Sequence, residues 1–198
     1  MNDVVISEQQ VEEVDVIGKT FGNRAWAYII DSVAYVLSNS AVSFATGVAV
    51  GIVLNLTGRE YQFVDEQSMI WIDQIVGLFL FALYFAIFEW LFGATLGKLV
   101  LGMRVVMENG DSCSLGGALI RAFFRYIDGL LFAIPAYYTM KHPLYQRIGD
   151  KSAKTIVIAA KDTFIKQPRD WWWFLIAAGV YLTVNVVITL FLIFISIR

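Results

Sequence analysis

Four apolar runs, separated by shorter polar stretches, organise this chain. The first follows Arg24 and is uncharged from Ser32 through Gly58. The second extends from Ser68 to Phe92, the third from Ala118 to Met140, and the fourth from Trp171 to Ile197, with no charged residue in the last. A helix rises about 1.5 Å per residue, so roughly 20 apolar residues cross a hydrocarbon core about 30 Å thick. The pattern predicts an all-α integral membrane protein with four hydrophobic helical segments. Arg24 with Trp26, the pair Trp71 and Trp90, and the triplet Trp171-Trp172-Trp173 fall where basic and aromatic anchors meet the headgroups.

The third run departs from the others. Arg121, Arg125 and Asp128 occupy its first half, and Pro135 interrupts the uncharged remainder. Lysine and arginine bias their loops toward the cytoplasm. If this run enters and returns, with a break near Pro135, nearly all the basic residues share one side and Arg59 and Arg198 face the other. Four full crossings would split them almost evenly, so the bias favours the re-entrant arrangement over that alternative. The polar stretches hold two strand-like pieces, MRVVMENGDS with a tight turn at Asn109-Gly110, and KTIVIAA. On one side of the membrane, Met103–Val106 can pair with Thr155–Ile158 in a short, cytoplasmic, β-hairpin-like contact.

Composition agrees with lipid as the main solvent. The chain is 198 residues long, 58% hydrophobic and only 16% charged, against about 25% charged in ordinary globular proteins. The first 20 residues are acidic and lack the basic start and apolar centre of a secretory signal. They read as a cytoplasmic tail (1–20), followed by a membrane domain (21–160), then a linker and C-terminal transmembrane helix (161–198). A single cysteine allows no internal disulfide, and His142 alone makes no metal centre. Cys113 is expected to face the cytoplasm, open to a thiol reagent once cells are broken. No catalytic set, zinc spacing, phosphate loop or nucleic-acid stripe is present. The expectation is a protein of the cell membrane, multi-pass, with no enzyme activity, cofactor, metal or nucleic-acid partner.

Ionisable groups inside apolar segments cost roughly 2.5–3.5 kcal/mol each on insertion scales and mark partners or wet cavities. Asp31 lies two helical turns beyond Arg24 on one stripe. It is too short to reach the headgroups, so it needs a donor from another helix or a bound cation. Arg121, Arg125 and Asp128, spaced i, i+4, i+7, share one helix face. Arg125 can pair with Asp128, which leaves Arg121 for Asp31 or for an anion. Lys98 and Arg104 suit lipid phosphates or serve as a positive-inside signal. Gly93 and Gly97 fit a small-residue packing motif or a tight bend. Asp73 and Glu89, near the ends of the second run, are expected to reach water.

Taken in order, Arg24 with Asp31, FGATLGKLVLGMRVV, IRAFFRYID, and QRIGD with a threonine and an apolar strand behind it resemble the RDD family of membrane proteins. The resemblance covers Phe21 to Ala160. That family is named for an arginine and two aspartates. Arg24 matches the arginine and Asp31 the first aspartate, while Asp128 and Asp150 both stand in blocks that match the second. Arg147 belongs to the same block as Asp150. Two departures are Lys154, where the family tends to have glycine, and the fourth segment, which lies outside the family core. The resemblance implies transport of a small ion or solute, with sodium/proton antiport linked to some members, and regulatory or accessory roles for others. Expected partners are the lipid bilayer, a small cation and a proton, and either further copies of the chain or another membrane protein.

Overall fold

The computed structural model describes residues 17–58, 66–141 and 143–196. The expectations placed on the acidic stretch before Ile17, on Arg59, on His142 and on Arg198 fall outside these residues. Six helices and two strands follow in the order α1 (Phe21–Thr57), α2 (Glu66–Leu91), α3 (Leu96–Val100), β1 (Met103–Met107), α4 (Leu115–Thr139), α5 (Ile148–Ser152), β2 (Thr155–Ala159) and α6 (Trp172–Ser196) among the described residues. Three of the helices, α1, Trp71–Leu91 of α2 and Trp172–Phe194 of α6, are long and apolar enough to cross a membrane. At 37 residues, α1 measures about 55 Å. It ends on Gly58, whose left-handed φ of 66° lets its N–H close on Leu54.

The third apolar run is not among the long apolar helices, as its charges and short uncharged remainder suggest. One expectation is corrected: the chain does not turn back at Pro135, for α4 continues through the proline to Thr139. The turn after Pro135 is fixed from outside: Ala136 is buried, and Tyr137 sets its ring edge-on against Phe21 at 5.6 Å. Both ends of α4 nevertheless meet the same structure. Cys113, just before it, packs with Met103, Val157 and Ala27. Just after it, Pro143 accepts a hydrogen bond from the Gly18 N–H, and the adjacent Lys19 N–H donates to Val157 of β2.

The strands pair antiparallel, Met103 opposite Ala159 and Met107 opposite Thr155. The expected backbone pairing is therefore present, although α4 and α5 intervene and no hairpin joins the strands. Their side chains face buried clusters on both sides, which suits continuous runs of valine and isoleucine. Between the long helices, Tyr84, Phe85, Phe88 and Leu91 of α2 pack with Ala177 and Tyr181 of α6. A polar contact ties α6 to α1, where the Asn185 amide donates to Asn39 Oδ1 at 2.9 Å.

The loop from α2 to β1 brings the polar layer together. Gly93 turns the chain with φ of 83°, and its carbonyl accepts from the Val105 N–H. Gly97 allows α3 to approach α1 closely, since a Cβ there would lie 2.1 Å from the Ala27 carbonyl oxygen. Both functions expected of the Gly93/Gly97 pair, bend and close packing, are thus divided between them. Further on, Arg169 donates to the Trp90 carbonyl at 2.6 Å and to that of Leu91, satisfying orphan acceptors at the end of α2.

Candidate functional site

Eight charged side chains among the described residues are buried, and they gather at one end of the long helices. Asp31, with no exposed surface, projects from the third turn of α1. Its Oδ1 accepts from Tyr84 Oη at 3.0 Å and the Gly97 N–H at 2.7 Å, and its Oδ2 accepts from Thr95 Oγ1 at 2.6 Å. Lys98 Nζ stands 4.0 Å away. The charge partner is therefore Lys98 of α3. The expected pairing of Asp31 with Arg121 or Arg125 does not occur, because Glu89 occupies both arginines.

Glu89 is the centre of the cluster. Its two oxygens take Lys98 Nζ at 2.9 Å, Arg121 Nε at 2.7 Å and Arg125 Nη2 at 2.8 Å. It has no exposed surface, contrary to the expectation that it reaches water. Arg125 also sits over the ring of Phe85, 3.6 Å from its centroid, one helical turn before Glu89. A carboxylate at the end of an apolar run and one turn beyond a phenylalanine was the available signal. What it lacked was any mark of the three cations that fold onto it.

Asp150, from the short α5, holds a second hub. It pairs with Arg24 of α1 and with Arg121 of α4, and its Oδ2 accepts the Arg147 backbone N–H at 3.0 Å. Burial opposes the charge on Asp150, but Arg121, Arg24 and Arg147 outweigh it and hold the carboxyl well below the usual carboxylate range. Arg121 bridges the hubs, with Nη1 also donating to Thr155 Oγ1 of β2 at 2.8 Å. Arg24 thus reaches Asp150 rather than Asp31.

Asp128 stays apart from these pairs. The expected Arg125–Asp128 pair is absent, because Arg125 turns to Glu89. Asp128 Oδ1 is buried with no hydrogen-bond partner, as are Arg24 Nη2, Arg125 Nε and Arg147 Nε. Burial pushes the Asp128 carboxyl up. Burial likewise lowers Arg147, to about 10. These residues, with Lys98, Arg121 and Asp150, line a cavity of about 20 Å³.

The secondary candidates separate. Lys98 is buried against Glu89, so it does not reach lipid phosphates. Arg104 is outside the cluster; it stacks 4.5 Å from the Phe92 centroid and donates to the Arg169 carbonyl at 3.1 Å. Cys113 is 1% exposed, and burial pushes its thiol up to about 12, so it is not the open thiol expected. Asp73 is exposed, whereas Trp171 and Trp172 stack at 4.0 Å on the outside of α6. No group of metal-ligating side chains occurs among the described residues.

The model of the RDD family matches residues 19–154, more than half of the chain. The chain belongs to the RDD family. No curated protein and no solved structure matches it. Together with its three long apolar helices, family membership makes this RDD protein an integral membrane protein. The match begins just before α1 and ends at Lys154, so it takes in both hubs and stops short of α6. Lys154 itself has a left-handed φ of 51°, a conformation glycine adopts without strain. The departure from glycine noted in the sequence therefore falls where the backbone favours that residue.

Proposed function

We propose that this RDD protein transports a small ion or solute and that the Glu89–Asp150 cluster is its ligand-handling element. The observation that carries this reading is a small, partly open cavity among buried charges at the end of lipid-facing helices. Desolvating so many ionisable groups costs several kcal/mol per ion before pairing offsets it. A polar seam supports the same reading. Asp31, Tyr35, Asn39 and Thr46 follow one stripe of α1, and Tyr181 and Asn185 of α6 meet it. The seam leads from the cluster into the apolar part of the bundle.

Cation/proton exchange at Asp31 is less favoured by this geometry. Three donors already fill the carboxylate, and a cation would have to displace them. The sheet and the basic loops lie at the cluster end, and the positive-inside bias supports our reading of that end, with the start of α1, as cytoplasmic in a protein of the cell membrane.

A second reading is a non-transporting regulator or assembly partner of another membrane protein. The saturated ion pairs of Glu89 and Asp150, which can simply hold the helices together, favour it; the exposed apolar faces, such as Phe44 and Leu56 of α1, are covered by lipid in either reading. Purified protein in liposomes, loaded with ion-sensitive dyes, decides. Flux of sodium, potassium, chloride or protons above that of empty liposomes, lost in Arg121→Gln, is expected for the transporter. Absence of flux for every ion, together with a stoichiometric foreign partner on crosslinking, would overturn transport and support the regulator.

A further inference from the structure

We propose that the cavity between Arg24, Arg125, Arg147 and Asp128 holds one small monoanion of the halide class. The inference rests on reading the cluster as an ion-handling element and names the ligand it takes. Its first support is the balance of charge. Four buried cations, Arg24, Lys98, Arg121 and Arg125, face four buried carboxylates, Asp31, Glu89, Asp128 and Asp150, and the half-buried Arg147 in the cavity wall adds a fifth cation. Fixed positive charge without a partner is costly in a low-dielectric setting, and a single negative charge removes the excess.

The second support is the set of unmet donors. Asp31, Glu89 and Asp150 have their oxygens filled by hydroxyl, backbone or cationic donors. The buried polar atoms left without partners at the cavity are three guanidinium nitrogens, on Arg24, Arg125 and Arg147, and one oxygen of Asp128. Arg24 is only 4% exposed, so bulk water does not serve its free nitrogen. Donors outnumber acceptors, which is the chemistry of an anion site.

Size narrows the class. A cavity of about 20 Å³ accommodates one water-sized body. Phosphate, sulfate and carboxylates would have to extend out through the open side of that space, whereas a single monatomic ion sits within it. A water molecule would fit, but it brings no charge. Asp128 sets the affinity from the opposite direction. Its carboxylate would repel the anion, and the groups facing it are Arg147, Asp150 and the Gly149 backbone from the α5 side and Arg125 from its own helix.

The test uses the full chain in detergent, titrated with sodium chloride while sodium gluconate holds ionic strength constant. Chlorine-35 line broadening and the thermal midpoint report occupancy. Saturable broadening, with a midpoint shift that gluconate does not give, is the expected result. Arg147→Gln should weaken binding at least about tenfold, and Asp128→Asn should tighten it about tenfold by removing a like charge a few ångströms away. Asp128→Asn leaves both hubs intact, so it carries the test if Arg147→Gln fails to fold. Equal effects of chloride and gluconate, or broadening without saturation, would mean that the cavity holds only water and would overturn the proposal. Chloride binding without flux in liposomes refutes transport and leaves the site; flux without chloride binding does the reverse.

Discussion

Glu89→Gln is the sharpest perturbation of this fold, because it removes one charge and almost no volume. Three cations lie 2.7–2.9 Å from the Glu89 oxygens. At an effective dielectric constant of about 20, each such pair is attracted by about 6 kcal/mol before desolvation is counted. Glutamine keeps one acceptor oxygen but presents an amide N–H₂ to the cations. Breaking a buried pair by removing one partner typically costs about 3–5 kcal/mol, since it leaves uncompensated charge. For a chain of this size that corresponds to a fall in thermal midpoint of about 6–20 °C. Tryptophan fluorescence during thermal unfolding in detergent is the assay, with six tryptophans as reporters. Adding Lys98→Met should restore part of the loss, because one of the stranded cations goes with it, and the double-variant cycle should show a coupling of about 0.5–3 kcal/mol. A midpoint within about 2 °C of the parent, or losses that simply add in the double variant, would refute Glu89 as the hub.

Three further outcomes follow from other parts of the cluster. Gly97→Ala places a methyl 2.1 Å from the Ala27 oxygen and pushes α3 off Asp31, so thermal unfolding should show a loss of roughly 2–4 kcal/mol; an unchanged midpoint would contradict the close approach. Asp150 has a folded carboxyl held below its unfolded value of about 3.9, so its contribution to stability is present above that value and lost as pH falls below it. Asp150→Asn should therefore destabilise at neutral pH, with the gap to the parent closing below about pH 4 in a pH series of unfolding midpoints. Cys113, buried and with its thiol pushed up to about 12, should resist maleimide at pH 7–8 even in opened cells and react only after denaturation; prompt labelling of the folded protein would show that the α4 entrance opens.

The linear pattern was enough for the class of protein and for most of its elements. Runs of apolar residues longer than a bilayer is thick specify α1, α2 and α6, because lipid demands internally satisfied backbone over that length. Alternation-free valine and isoleucine runs, the first followed by Asn109-Gly110, located both strands, and the family resemblance singled out Arg24 and Asp31 and left Asp128 and Asp150 as alternatives for the second aspartate. The partners of those charges were decided only by tertiary structure. Spacing along one helix suggested Arg125 with Asp128, yet a carboxylate from α2, 36 residues away, takes Arg125 instead. Glu89 seemed peripheral because a sequence shows depth along its own helix and not what packs over its end. Once α3, α4 and α5 close on that end, the desolvated carboxylates must each find cations within hydrogen-bond reach, and which cation reaches which carboxylate depends on the angles at which the helices meet. Pro135 obeys the same logic: its missing N–H weakens a helix locally, and contacts from α1, which no local rule encodes, keep the helix whole.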